Sequence, residues 1–248
     1  MKILLTNDDG IEAQGLALLA EALQGMGRIT IIAPAGEKSA SSHSLTLRDK
    51  ITVEKLGNDR YAVDGTPTDC ILLGIQGILE EPPDLVVSGI NHGPNMGEDV
   101  TYSGTVAAAI EGTILGVPSI AVSSLQRKMT SREELAKITR GLLETIISER
   151  IPPGSLLNIN IPDPSISPIS GVKITKLGSR AYRNVLRPEP DEDGKIRYTI
   201  GGEEPIWKDD NGTDIAAVRQ GCVSITPLHI DLTDYRAIVE MERWRFDF

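Results

Sequence analysis

The chain is expected to fold as an α/β protein, a Rossmann-like three-layer sandwich with a mainly parallel sheet and a C-terminal β-hairpin extension. Three observations lead there. Up to residue 161, short apolar runs of the kind buried on both faces of a parallel sheet alternate with helix-period segments. After Pro162 that alternation stops, and turn signals and aromatics take over. The length of 248 residues exceeds one small domain and falls short of two, which suits one large sheet with an appendage.

Lys2-Ile3-Leu4-Leu5-Thr6 is the first apolar run, and it stops at Asn7-Asp8-Asp9-Gly10. Gly15 to Leu23 carries apolar residues at helical spacing and is closed by Gly25 and Gly27; Arg28 to Pro34 is the next strand. Strand, helix and strand make a right-handed crossover unit. Asp69 to Ile75 reads as helix, Asp84 to Gly89 as a core strand, and Thr105 to Leu115 as an Ala-rich helix ended by Gly116 and Pro118. Ser119 to Ser123 is the following strand, Glu133 to Ser148 an amphipathic helix, and Leu156 to Ile161 the expected last strand of the core. Residues 1–165 are thus expected to form the α/β core that carries any catalytic site. Residues 166–248 are expected to hold a hairpin turning at Asp191-Glu192-Asp193-Gly194-Lys195, a second turn at Asp209-Asp210-Asn211-Gly212, a returning strand at Ser224 to Leu228 and a C-terminal segment. Seven of the nine aromatics (Tyr182, Tyr198, Trp207, Tyr235, Trp244, Phe246 and Phe248) lie past residue 180, which suits an assembly arm.

A formal charge of -10 argues against a binder of nucleic-acid polymers, which needs excess Lys and Arg to displace counterions. With 40% apolar and 24% charged residues the chain has ample core and is not disordered. No apolar run approaches the ~20 residues of a membrane span, and the first residues lack a basic region followed by a cleavage site, so no membrane partner and a cytoplasmic location are expected. Cys70 and Cys222 stand apart in apolar surroundings and read as reduced core thiols.

Asp8 and Asp9 fall where the first strand ends, outside which open α/β sheets bind their ligands. An acidic capping turn would explain the pair, but two adjacent carboxylates also repel one another unless a cation joins them. A dinucleotide fold would have G-x-G-x-x-G here, so that reading fails. The pair suits a hard, oxygen-liking ion such as Mg²⁺ or Mn²⁺, which then bridges to phosphate. Four serines within Ser39-Ala40-Ser41-Ser42-His43-Ser44 follow the second strand at the same sheet edge, with Lys38 and His43 as the local cations. After the strand through Val87 comes Ser88-Gly89-Ile90-Asn91-His92-Gly93-Pro94-Asn95, whose amides offer oxygens to a metal and donors to a phosphate; His92 is a further candidate acid. Tyr102-Ser103-Gly104-Thr105 then opens a helix whose small residues let an anion approach the N-terminal N–H groups.

Asn7-Asp8-Asp9-Gly10, the Ser39 loop running into Ser44-Leu45-Thr46, Val63-Asp64-Gly65-Thr66-Pro67-Thr68-Asp69-Cys70, Ser88-Gly89-Ile90-Asn91 and Tyr102-Ser103-Gly104-Thr105 occur in one order. Together they resemble the stationary-phase survival protein family, SurE, of metal-dependent 5'-nucleotidases, and Val223 to Leu228 extends the resemblance over almost the whole chain. The resemblance implies one divalent ion per subunit held by Asp8, Asp9, Ser39 and Asn91, with Asp8 or Asp9 also accepting a proton from the attacking water. It implies a substrate phosphate near Ser103, Gly104 and Thr105, and Asn95 is a neighbour ranked below Asn91 as ligand. Implied as well are hydrolysis of nucleoside 5'-monophosphates by metal-held water, 3'-nucleotides and polyphosphate as further candidate substrates, and a homodimer or homotetramer with interlocking arms. The family commonly has glycine where Ala40 stands.

Two other classes compete. A phospho-receiver domain also carries an acidic pair after its first strand, but it needs an Asp at the end of its third, where Val87-Ser88-Gly89 stands. A phosphatase that forms an aspartyl-phosphate needs two Asp separated by one residue, whereas Asp8 and Asp9 are adjacent and neighbours at a strand end point opposite ways.

Overall fold

The computed structural model describes residues 1–126, 128–181, 186–190, 196–200, 206–207 and 210–246. The chain runs β1 (Lys2–Thr6), α1 (Gln14–Ala22), β2 (Arg28–Pro34), β3 (Val53–Gly57), β4 (Arg60–Val63), α2 (Pro67–Leu73), β5 (Leu85–His92), α3 (Gly104–Ile114), β6 (Ser119–Ser124), α4 (Arg132–Glu149) and β7 (Ser155–Ile161). It continues through β8 (Gly171–Ile174), β9 (Arg180–Ala181), β10 (Leu186–Pro190), β11 (Ile196–Ile200), β12 (Ile206–Trp207), α5 (Asp214–Arg219), β13 (Cys222–His229) and α6 (Tyr235–Met241). Among the described residues nine strands make one sheet in the order β3-β4-β2-β1-β5-β6-β7-β13-β8. From β4 to β7 every neighbouring pair is parallel. The α/β sandwich with a mainly parallel sheet is therefore the fold.

Alternation along each buried strand sorts its side chains into two layers. Ile3 and Leu5 of β1 pack with Leu16 and Leu19 of α1 and Leu135 and Leu143 of α4. Leu4, between them, packs on the opposite face with Cys70 and Ile71 of α2 and Ala108 of α3. Fully burying a Leu or Ile side chain stabilises by roughly 1.5–3 kcal/mol, so these layers hold the sheet edge that carries the site.

The sheet does not end at β7. β13 pairs antiparallel with β7, and β8 pairs parallel with β13, so the core sheet takes strands from beyond Pro162. Cys222 to Thr226 are all buried, and sequence pattern alone does not say against which strand such a run packs. The edge strand β3 and its neighbour β4 are additions to the expected strands: every residue of β3 is exposed, and β4 is only four residues long with Ala62 and Val63 buried. The strands β10 and β11 pair antiparallel as the expected hairpin; its turn at 191–195 lies outside the described residues. Gly212 turns the chain at φ +78° before α5, a helix the sequence reading did not contain. Tyr198, Tyr235, Trp244 and Phe246 are 57–65% exposed; Tyr182 and Phe248 lie outside the described residues. No helix among the described residues is long and apolar enough to cross a membrane.

Candidate active site

The carboxyl ends of β1, β2 and β5 and the start of α3 meet at one sheet edge around a cleft of about 990 Å³. Asp8, Asp9, Ser39, Asn91, Asn95 and Ser103 all line it. The turn after β1 is closed by Asn7, whose amide donates to the Gly10 carbonyl at 2.9 Å and accepts from the Gly10 N–H at 3.2 Å. That closure presents Asp8 and Asp9 side by side. Asp8 is buried, and the Thr105 hydroxyl donates to its Oδ1 at 2.5 Å. The start of α3 comes this close only because residue 104 is glycine: a Cβ there would sit 2.7 Å from Ser41 Oγ and 2.8 Å from Asp8 Cβ.

Burial pushes the Asp8 carboxyl up to about 6; the Thr105 bond opposes that rise and the Asp9 charge adds to it. Asp9 is also pushed up, first by burial and then by Glu37, against the influence of His92. The His92 main chain donates to Asp9 Oδ2 at 3.3 Å, and its ring lies between two groups. Nε2 accepts the Gly15 N–H at 3.3 Å and Nδ1 lies 3.9 Å from Asp9 Oδ1. The His92 main chain therefore orients Asp9, and the ring is held beside it by the Gly15 N–H. Glycine is required at 15 as well, because a Cβ there would lie 1.9 Å from the Ile90 carbonyl oxygen.

The Ser39 loop is held to the pair through the Lys38 N–H, which donates to the Asp8 carbonyl at 2.7 Å. Ser39 donates its hydroxyl proton to Glu37 at 2.7 Å and keeps its oxygen lone pairs for another partner. Ala40, in the position the family commonly gives to glycine, has φ +56°, a left-handed conformation that costs a residue with a Cβ about 1–2 kcal/mol. Asn91 donates its amide N–H to the Gly93 carbonyl at 2.8 Å, so its oxygen remains to act as an acceptor. Ser103 caps α3, accepting from the Val106 N–H at 3.1 Å. The Thr105 hydroxyl is directed at Asp8, which leaves the backbone N–H groups of the helix start as what Gly104 and Thr105 offer an anion.

Two carboxylates, a hydroxyl and an amide oxygen form a hard, all-oxygen donor set, and the raised carboxyl pKa values show what a cation would relieve. The residues fit a divalent ion of the Mg²⁺ or Mn²⁺ kind. Among the described residues no three His, Cys, Asp or Glu side chains converge, so any such set depends on the neutral oxygens of Ser39 and Asn91.

A profile described as Survival protein SurE matches residues 3–184. The chain belongs to the SurE family. It is 47% identical to the 5'-nucleotidase SurE of Aquifex aeolicus, with 95% of this chain and 94% of that one covered. Its identity to the 5'-nucleotidase SurE of Geobacter sulfurreducens is 44%, over 98% of this chain and 94% of the relative. The crystal structure of the SurE protein from Aquifex aeolicus superposes with a TM-score of 0.87 at 45% identity, covering 98% of both chains.

This SurE-family chain departs from the sequence expectations in its cations. Lys38 Nζ lies 3.9 Å from Asp64, and His43 Nε2 lies 2.8 Å from the buried Glu111 carboxylate; neither lines the cleft. The loop that holds them turns their side chains toward carboxylates on other elements, a direction that sequence spacing does not reveal. Lys128 lines the cleft instead, and it is the lysine or arginine found there among the described residues. It follows β6 in a stretch without a motif, so no sequence signal marked it. Asp214 was likewise missed: buried at the start of α5, it accepts the N–H groups of Gly97 (2.9 Å) and Gly178 (2.8 Å) and ties the loop after β5 to the C-terminal part.

Proposed function

We propose that the chain is a 5'-nucleotidase, a phosphoric monoester hydrolase that releases phosphate from nucleoside 5'-monophosphates with one divalent ion, Mg²⁺ or Mn²⁺, per subunit. The observation that carries this reading is the adjacent Asp8–Asp9 pair, Asp8 buried and Asp9 half-buried, beside the glycine-opened start of α3. The relatives at 43–47% identity, each a 5'-nucleotidase SurE, support it. Asp8, Asp9, Ser39 and Asn91 would hold the ion. When bound, such an ion supplies Lewis acidity toward a phosphoryl oxygen and lowers the pKa of water. Thr105 holds the Asp8 carboxylate through Oδ1, and the main-chain N–H of His92 holds that of Asp9, so both keep one orientation while charge moves. One of the two carboxylates takes up the proton of the attacking water. The N–H groups at Gly104 and Thr105, at the positive end of the α3 dipole, receive the negative charge that grows on the equatorial oxygens, while the Ser103 N–H is held by the Asp99 carbonyl at 3.1 Å. Asn95 and Lys128 line the same cleft; Asn95 is read as meeting the phosphate and Lys128 the rest of the substrate.

The protein is further read as cytoplasmic and as a homodimer or homotetramer joined by its C-terminal arm. The exposed Tyr235, Trp244 and Phe246 support the assembly, and two buried free thiols support a reducing compartment. Phosphate release from a panel of nucleoside monophosphates, run with Mg²⁺, Mn²⁺, Zn²⁺ and no metal, tests the activity. Release that requires a divalent ion is expected, and no release from any nucleotide under any of these conditions rejects the nucleotidase.

A further inference from the structure

Two asparagines stand in the middle of the sheet where apolar residues would be expected. On β7, Leu157, Ile159 and Ile161 face α1 and α4, while Leu156, Asn158 and Asn160 face the opposite layer. Both asparagines are completely buried. Their side chains bond to the main chain of one loop residue, Asn95. Asn158 Nδ2 donates to the Asn95 carbonyl at 2.8 Å, and Asn160 Nδ2 donates to the same oxygen at 3.0 Å. Asn160 Oδ1 accepts the Asn95 N–H at 2.8 Å, and the Asn95 side chain donates to Ser123 Oγ at 2.8 Å. Two side-chain amides thus give a loop residue the hydrogen bonds that a neighbouring strand would otherwise supply.

Packing does not account for them. A buried amide stabilises only when its bonds are made, and Asn158 Oδ1 is buried without a hydrogen-bond partner, a condition that costs roughly 1–3 kcal/mol. Leucine or valine would fill the same space without that loss. What the amides accomplish is to fix Asn95, which lines the cleft with Asp8 and Asn91. Asn91 has separate supports, since it continues β5 and its loop bonds to the Ser124 carbonyl through Gly93.

We propose that Asn158 and Asn160 are positioning residues that act on the hydrolysis through Asn95, holding its side chain at the reacting phosphate; the proposal rests on the nucleotidase reading. Positioning of this kind is sensitive, because a displacement of about 1 Å can cost on the order of 10²-fold in rate. A double-mutant cycle on the full-length protein tests it, with AMP as substrate and Mn²⁺ as metal, well below the melting temperature of every variant. Asn160→Ala and Asn95→Ala are each expected to lower kcat by about 10- to 100-fold, with the Mn²⁺ dissociation constant, read from free Mn²⁺ by electron paramagnetic resonance, close to wild type. The double variant should be no slower than the slower single variant, within about twofold, because both act on one group. Should Asn160→Ala fail to fold, Asn158→Ala removes one donor of two and takes its place in the same cycle, with a smaller loss. Losses that multiply, a folded variant with wild-type kcat, or loss of Mn²⁺ binding in parallel with rate would each overturn the proposal. A wild-type protein that releases no phosphate from any nucleoside monophosphate removes the nucleotidase reading itself, and the proposal with it; if another nucleotide is hydrolysed in place of AMP, the cycle is run on that one.

Discussion

Replacing either aspartate of the adjacent pair by asparagine changes charge while keeping shape, so it isolates what the charge does. Asp8→Asn and Asp9→Asn should each weaken Mn²⁺ binding and remove most hydrolysis, by about 10²-fold or more, while the fold persists. The melting temperature of the metal-free protein should stay level or rise, since the substitution relieves burial of a repelling charge. Full hydrolysis by either variant at saturating metal would rule out the metal assignment. Asp99 lines the same cleft but is outside the proposed metal-ligand set, and it provides a pH test. Burial first, then Glu98 and Asp214, push its carboxyl up to about 6. A carboxyl raised on folding contributes stability that is fully present below its unfolded value and is lost as pH rises through about 6. In chelator, Asp99→Asn should therefore melt above wild type at pH 7.5, and the advantage should disappear toward pH 4. Lys128→Ala should raise KM for AMP several-fold and leave kcat near wild type, because the lysine offsets Asp8, Asp9, Glu12, Glu37 and Asp99 around the cleft without touching the donor set. Equal kinetics in the variant would remove Lys128 from substrate binding.

Helix α3 does two tasks at once: its start faces the cleft and its body packs on the sheet. The glycine that opens it is the point at which those tasks meet. Gly104→Ala inserts a Cβ 2.7 Å from Ser41 Oγ and 2.8 Å from Asp8 Cβ, closer than real contacts allow. The helix start and Asp8 must then part, which should lower kcat by about 10²-fold. Circular dichroism of the variant should still show a folded protein, and a variant with wild-type kcat would show that the close approach is dispensable. Helix α2 supports the site from further back. Thr66 and Asp69 form a reciprocal cap at its start, and the Asp69 carboxylate also accepts the main-chain N–H and hydroxyl of Thr46, anchoring the end of the serine loop. Thr66 and Asp69 stand three apart in the sequence, but nothing there indicates that Asp69 also binds Thr46.

For the whole molecule, the nine-stranded sheet reaches past β7 through β13 and β8, so the C-terminal third is tied to the core. Beyond β13, α6 has no buried residue, and it presents Tyr235 and Ile238 to solvent. A helix with an uncovered apolar side is stable when another surface covers it. Multi-angle light scattering at micromolar concentration should accordingly give a dimer or tetramer mass, and a monomer mass would refute the assembly.

The alternation of apolar strands and helices, the acidic pair at the end of β1 and the small residues opening α3 were legible in the sequence. Each is a local pattern: burial on two faces, charge repulsion between neighbours, and access to a helix start act over a few residues. Ser39, Asn91 and Asn95 entered through position in ordered motifs, and the fold brings them around one cleft. Tertiary structure alone decided which strands β13 joins, that Lys38 and His43 turn away while Lys128 faces in, and that Asn158 and Asn160 support Asn95 across more than sixty residues of chain. The reason is that a side chain's type sets what it can bond, whereas its partner is set by which elements pack together.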